Sequence, residues 1–365
     1  MIAHRMSKID SSGIRKVFDL AQKMQNPVNL SIGQPDFDVP EEIKMVAMKA
    51  IEDGANKYTV TQGIAELRNG LLKRLQEQRG VNAEDIIITS GVSGALTLVF
   101  MVLINPDDEV LIPDPAFVSY KHLVNFCGGK SIFIDTYPDF QLTAARIEPH
   151  ITKKTKALII NSPANPTGIM CKARDIKEIA EIAKKHNLVV ISDEIYHDYD
   201  YHHVFESIGK YYEKTLTLDG FSKSFAMTGW RMGYAAGPAS MISEMIKLQQ
   251  YTFVCAPSPA QYAVAKSLDT DLSKYIANYK KKRDLMYNGL KDTFQIVKPG
   301  GAFYFFPEVP WGTDEEFVAT AIKNNLLIIP GSVFSERHTH FRVSYAASEE
   351  TIHRGMDILN SISRQ

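Results

Sequence analysis

Residues 217–237 read TLDGFSKSFAMTGWRMGYAAG. The apolar run 216–218 enters Gly220 and then Ser222-Lys223-Ser224, and Arg231 follows inside Gly229-Trp230-Arg231-Met232-Gly233. A lysine at a strand end offers a primary amine that can condense with a carbonyl once its pKa is depressed. An arginine among glycines offers a planar fork for an anion. A solvated surface loop can hold the same residues, so the case depends on what stands at the neighbouring strand ends.

Apolar, β-branched runs predict strands at 86–89, 109–112, 132–134, 157–160, 188–191 and 216–218, and helix-period segments lie between them. In 172–186, Ile176, Ile179, Ala180 and Ala183 fall on one helical face. Near-continuous apolar strands alternating with helices imply an α/β protein with a mainly parallel sheet covered on both faces, from about 40 to 260. After Pro257-Ser258-Pro259 a long helix is predicted over roughly 259–294. It is followed by a β-like segment at 300–306, a helix near 314–324, strands near 326–329 and 341–345, and a last helix from Ser348. That gives an N-terminal segment (1–40), a large domain (41–260) and a smaller α+β domain (261–365), with the long helix as the join.

In a parallel α/β sheet, ligands bind beyond the carboxyl ends of the strands. After 86–89 comes Ser90-Gly91-Val92-Ser93-Gly94, then an apolar helix. Backbone N–H groups at such a turn form a phosphate seat, or a plain strand-to-helix turn with a serine cap. After 109–112, Phe117 is placed to stack on a flat ligand or to fill the core. After 157–160, prolines and a glycine hold Asn165 in NSPANPTG. After 188–191 comes Ser192-Asp193-Glu194-Ile195-Tyr196. A buried carboxylate at Asp193 needs a partner such as a protonated ring nitrogen, or it caps a helix. Lys223 and Arg231 follow the next strand.

The bulk numbers narrow the field. A chain of 365 residues is long enough for two domains. It carries 41 basic and 42 acidic residues, net charge −1, which gives no electrostatic case for nucleic acid or an anionic membrane. Cys127, Cys171 and Cys255 are widely spaced, with neither a metal pattern nor a disulfide framework, so a reducing, cytoplasmic setting is expected. The start, MIAHRMSKID, has no apolar core for a signal peptide, and the apolar run 96–104 is too short to span a bilayer.

Taken together, the strand-end residues describe a site for a flat, phosphorylated, cationic ring attached through a lysine. With IGQPDFDVP, KYTVTQG, NSPANPTG, SDEIY, SKSFAMTGWRMGY, GGAFYFFP and FRVSY, the chain resembles the class I/II aminotransferases of the fold type I pyridoxal 5′-phosphate (PLP) enzymes. The resemblance runs from about residue 28 to the end. It implies a seven-stranded-type sheet and ping-pong transfer of an amino group between an L-amino acid and a 2-oxo acid. Lys223 would be the Schiff-base residue and proton carrier. Asp193 would face the pyridinium nitrogen, Tyr196 and Asn165 the ring oxygen, and Phe117 the ring face. Gly91, Val92, Ser93, Ser222 and Arg231 would hold the phosphate. Arg342 and the backbone of Gly33 would hold the substrate carboxylate, with Asn165 also touching the substrate. Tyr58 would reach the phosphate of a neighbouring subunit, which implies a homodimer.

Two departures stand out. Many relatives carry a serine where this chain has Gly220, and one branch of prokaryotic aspartate aminotransferases carries a lysine where this chain has Ser93. The first departure leaves one phosphate contact missing or replaced by a group such as Ser222. The second weighs against a dicarboxylate specialist. The rival on the same scaffold is a PLP-dependent carbon–sulfur β-lyase. A transcription regulator would need an N-terminal winged helix, for which the first forty residues leave no room.

Overall fold

Short runs of Ile, Val and Leu such as 86–88, 158–160 and 189–191 are extended and buried, while most of the longer run 96–104 falls in a largely buried helix. The computed structural model describes residues 1–11 and 13–364. Its first elements are α1 (Gly13–Ala21), β1 (Val28–Asn29), α2 (Glu41–Glu52), α3 (Ala65–Arg79), β2 (Asp85–Ser90), α4 (Gly91–Leu103), β3 (Glu109–Asp114), α5 (Ser119–Phe126), β4 (Lys130–Asp135) and α6 (Ala144–Ile147). Next come β5 (Thr155–Asn161), α7 (Ala173–Lys185), β6 (Val189–Asp193), β7 (Thr215–Gly220), β8 (Met232–Gly237), α8 (Ala239–Gln249) and α9 (Ser258–Lys266). The last are α10 (Ser273–Leu290), β9 (Tyr304–Phe305), α11 (Asp314–Lys323), β10 (Leu326–Leu327), β11 (Ile329–Pro330), β12 (Phe341–Ser344) and α12 (Glu349–Ile362).

A seven-stranded sheet has the order β2-β8-β7-β6-β5-β3-β4. Only β8 runs against the others, pairing antiparallel with β2 and β7. The strands alternate their side chains between two buried layers: Ile87, Ile191 and Leu218 pack on one side, Ile86, Ile88 and Tyr234 on the other. Fully burying one such aliphatic side chain is worth about 1.5–3 kcal/mol, so these layers fix the sheet and with it the strand ends. The expected strands are present, with β8 in addition. Its sequence, MGYAAG, is rich in glycine and alanine and reads as loop. It is held because glycines let it lie tight between β2 and β7: a Cβ at Gly237 would stand 2.5 Å from the Thr215 carbonyl oxygen.

The antiparallel run of β8 matters for the site. Ser90, at the end of β2, is in register with Met232, at the start of β8. Arg231 therefore emerges beside the Gly91 turn.

The C-terminal part holds a three-stranded antiparallel sheet, β11-β12-β9. Phe341 and Val343 of β12 point into an aromatic-rich core, so Arg342 between them points the other way. The N-terminal segment joins this part: β1 pairs with β10, and Ser344 N–H donates to the Leu30 carbonyl at 2.8 Å. The single helix expected over 259–294 is instead α9 and α10, separated at 267–272. Asp271 ends the continuity, because its carboxylate accepts from Ser273 N–H at 2.9 Å and from the Ser273 hydroxyl, starting a new helix. The β-like segment at 300–306 shrinks to Tyr304–Phe305. Ala302 lies at φ +53°, outside extended backbone. Among the described residues no helix is long and apolar enough to cross a membrane.

Candidate active site

A cavity of about 240 Å³ opens at the carboxyl ends of the strands, between the large sheet and β12. Lys223 reaches it from the turn after β7. Its Nζ donates to the Gly33 carbonyl at 2.6 Å and lies 5.9 Å from the Tyr196 ring centre. Burial, with Arg342 and Arg231 nearby, lowers the amine to about 8, against the smaller pull of Asp193. An amine so placed is largely unprotonated at mildly alkaline pH and is a usable nucleophile.

Asp193 ends β6. Burial lifts its carboxyl to about 6, against hydrogen bonds from Tyr120 and from Ile195 N–H. The Tyr120 hydroxyl donates to Oδ2 at 2.7 Å. Asn161, at the end of β5, donates Nδ2 to the Asp193 carbonyl at 2.9 Å and accepts from Asn165 N–H at 2.8 Å. The turn carrying Asn165 is thus tied to the strand carrying Asp193. A cation next to Asp193 would return it to its charged form.

Arg342 closes the opposite wall. Nη1 donates to Asn165 Oδ1 at 3.0 Å and Nη2 to the Ser31 carbonyl at 2.6 Å. Its guanidinium carbon lies 4.6 Å from the Tyr304 ring centre and 4.8 Å from that of Phe334. Nε is buried with no hydrogen-bond partner among the described residues. A buried cation with an orphaned donor and no carboxylate partner is built to receive an anion. Because a guanidinium only donates, the Asn165 oxygen faces Arg342 and its amide N–H groups are left for a ligand oxygen.

Arg231 lies at φ +56°, donating Nη1 to the Thr228 carbonyl at 2.8 Å. A Cβ at Gly91, itself at φ +67°, would stand 2.4 Å from Arg231 Nη2. A Cβ at Gly233 would stand 2.6 Å from the Gly91 carbonyl carbon. Glycine at both positions lets this turn close around the arginine and the start of α4. A Cβ at Gly220 would meet the Met232 carbonyl oxygen at 2.7 Å, so a serine there has no room. Ser222, Thr228 and Ser93 line the cavity in its place.

Of the residues singled out in the sequence, Gly33, Val92, Ser93, Phe117, Asn165, Asp193, Tyr196, Ser222, Lys223, Arg231 and Arg342 line this one cavity. Gly91 and Tyr58 are not among its lining residues, and Tyr58 is 82% exposed. Ile14, Leu96, Tyr120, Asn161, Ile195, Thr228 and Tyr304 also line it and were not foreseen. Asn161 opens NSPANPTG and was within reach of the reading. Tyr120 sits in an unremarkable helix. Tyr304 bonds the Tyr196 hydroxyl at 2.8 Å.

This donor set fits a flat, phosphorylated, cationic ring. It has an anion seat at Arg231, a buried carboxylate for a ring cation, a depressed amine and a second anion site at Arg342.

The family model for aminotransferase class I and II matches residues 25–359. A probable aspartate aminotransferase of Methanocaldococcus jannaschii is 40% identical, over 99% of this chain and 100% of its own length. Aromatic-amino-acid aminotransferase 2 of Thermococcus litoralis is 36% identical, over 100% and 98%. The crystal structure of Thermus thermophilus aspartate aminotransferase with maleate superposes with a TM-score of 0.95 at 32% identity, covering 99% of each chain.

Proposed function

The chain belongs to the class I and II aminotransferase family and is a PLP-dependent transaminase, moving an amino group between an amino acid and a 2-oxo acid; from that premise we propose the following roles for its residues. The carbon–sulfur β-lyase reading is not favoured by these relatives.

Bound PLP supplies the electron-accepting ring that stabilises the charge left when a proton departs the substrate α-carbon. Lys223 would hold it through Nζ, and the same amine, lowered by burial and by Arg342 and Arg231, would move the proton at the substrate α-carbon. Asp193, held by Tyr120, would pair with the ring nitrogen. Asn165 and Tyr196 would bond the ring oxygen, and Phe117 would cover the ring. Arg231, Ser93, Ser222, Thr228 and the N–H groups at Gly91 and Val92 would hold the phosphate. Arg342 and Gly33 would orient the substrate carboxylate. The observation that carries this reading is the convergence of a depressed amine, a buried carboxylate and two separated arginines on one cavity.

We place residues 1–40 and 261–365 as the parts that enclose a large domain at 41–260. The enzyme works as a homodimer with Tyr58 crossing to the neighbouring site. Tyr58, Val60, Tyr251, Phe253 and Val254 are exposed, and their two segments are tied by Gln249 Nε2 donating to the Thr61 carbonyl at 2.7 Å. Such an apolar patch calls for a covering surface. Three free cysteines agree with a cytoplasmic setting. The cations lining the cavity are Lys223, Arg231 and Arg342. A dicarboxylic substrate would need its second cation from the partner subunit.

The test is the visible spectrum of the PLP-loaded protein. One or more L-amino acids from a panel should bleach the band and a 2-oxo acid should restore it. Bleaching accompanied only by ammonia release would overturn the reading.

A further inference from the structure

On the opposite face of the sheet from Tyr120 lies a buried charge cluster that these roles leave unused. Arg79, the last residue of α3, donates Nη1 to Glu194 Oε2 at 2.8 Å and Nη2 to Asp219 Oδ2 at 2.5 Å. Their side chains are 7%, 1% and 3% exposed. His197 lies 3.2 Å from Asp219 Oδ2 and 3.0 Å from Asp198 Oδ1. The Tyr234 hydroxyl donates to Asp219 at 2.9 Å, and Ser192 and Ser207 donate to Glu194 at 2.9 and 2.5 Å.

The two carboxylates hold telling places in the chain. Glu194 directly follows Asp193 at the end of β6. Asp219 is the penultimate residue of β7, whose turn carries Lys223. Glu194 N–H donates to the Leu218 carbonyl at 2.8 Å, the last backbone bond joining the two strand ends. Beyond it, one guanidinium spans both. Buried ion pairs add little net stability over apolar packing of equal volume, so stability is a poor account of this one.

We propose that Arg79 is a positioning residue of the amino-transfer site, its fork fixing the ends of β6 and β7 so that Asp193 and Lys223 meet the cofactor in one geometry. This rests on the roles assigned above. The electrostatics agree. Glu194 and Asp219 both push Asp193 upward, while Tyr120 and Lys223 favour its charge and Tyr196 lies close by. Arg79 offsets the two carboxylates, and His197 offsets Asp219. Burial and Arg79 oppose the His197 charge, but Asp198 and Asp219 outweigh them and raise it to about 9.

The experiment compares the PLP-loaded parent with R79K and D219N. R79K keeps the charge but cannot fork to both carboxylates. D219N keeps the shape but weakens one arm. For both variants the bleaching rate at saturating amino acid should fall about tenfold or more. Half-saturation should stay within about twofold. The pH midpoint of the visible band should also move, a shift that lost stability alone would not produce. A variant set that melts earlier yet keeps the parent's rate and midpoint overturns the proposal. A parent with no visible band overturns the assigned roles and this proposal with them. A normal parent matched by R79K overturns the proposal alone.

Discussion

The Tyr120 hydroxyl donates to Asp193 Oδ2 at 2.7 Å, joining a helix of one layer to the strand end that carries the site's carboxylate. This bond favours the charged form of Asp193 against burial. Y120F leaves the ring in place and removes the bond. Asp193 should then rise further above about 6, and PLP affinity near neutral pH should drop about tenfold, the worth of one hydrogen bond to a charged group. Fluorescence titration of the cofactor-free protein checks this. An affinity equal to the parent's would detach Tyr120 from the cofactor.

Lys223 links the site to stability. Its amine lies at about 8 in the fold and at 10.5 when unperturbed. Between these values the unfolded chain holds a proton that the folded chain has released, so stability rises with pH across that window. Below 8 the buried ammonium costs roughly 3 kcal/mol. Cofactor-free K223M should therefore gain most over the parent at pH 7 and lose that advantage towards pH 10. Urea denaturation at both pH values measures it. A difference independent of pH would contradict the depressed amine.

Replacing Arg342 by lysine keeps a charge and loses the fork. Half-saturation by the amino acid should rise about a hundredfold, close to 3 kcal/mol, with PLP affinity unchanged. If PLP affinity falls instead, Arg342 belongs to the cofactor's seat.

At Gly91 an added methyl group meets two obstacles: φ is +67° and the Cβ would lie 2.4 Å from Arg231 Nη2. G91A should bind PLP at least about tenfold more weakly, since the added carbon pushes the Arg231 guanidinium off the turn and costs its charge-assisted bonds to the phosphate. Equilibrium dialysis would show it, and an unaltered affinity would remove Arg231 from the phosphate seat.

For Tyr58, Y58F should sediment as a dimer like the parent but release PLP faster. A monomeric parent in analytical ultracentrifugation would rule out the crossing tyrosine.

The residues with distinctive chemistry were legible in the sequence because they stand at the ends of buried apolar runs. Asp193, Asn165 and Lys223 each follow such a run, and Arg231 stands out by its glycine neighbours. Strand β8 was not legible: MGYAAG lacks both alternation and β-branched residues, and only its fit between two neighbours extends it. The break between α9 and α10 was hidden because Ser, Leu, Asp and Thr at 267–271 do not interrupt a helical pattern as a proline would. Tyr120 and Arg79 gave no signal. Their partners lie 73 and up to 140 positions away, a relation that only the folded sheet creates.

The backbone at Gly91, Gly220 and Gly233 is packed so closely that none of the three could take even a methyl group unless its neighbours shifted. The turn beside the cofactor's phosphate is therefore constrained in its main chain, while other parts of the wall are side chains such as Ile14 and Tyr304. Random drift is tightly policed at the first and freer at the second, Arg342 apart. A lineage, or a designer, can retune which amino acid is accepted without renegotiating the grip on the coenzyme.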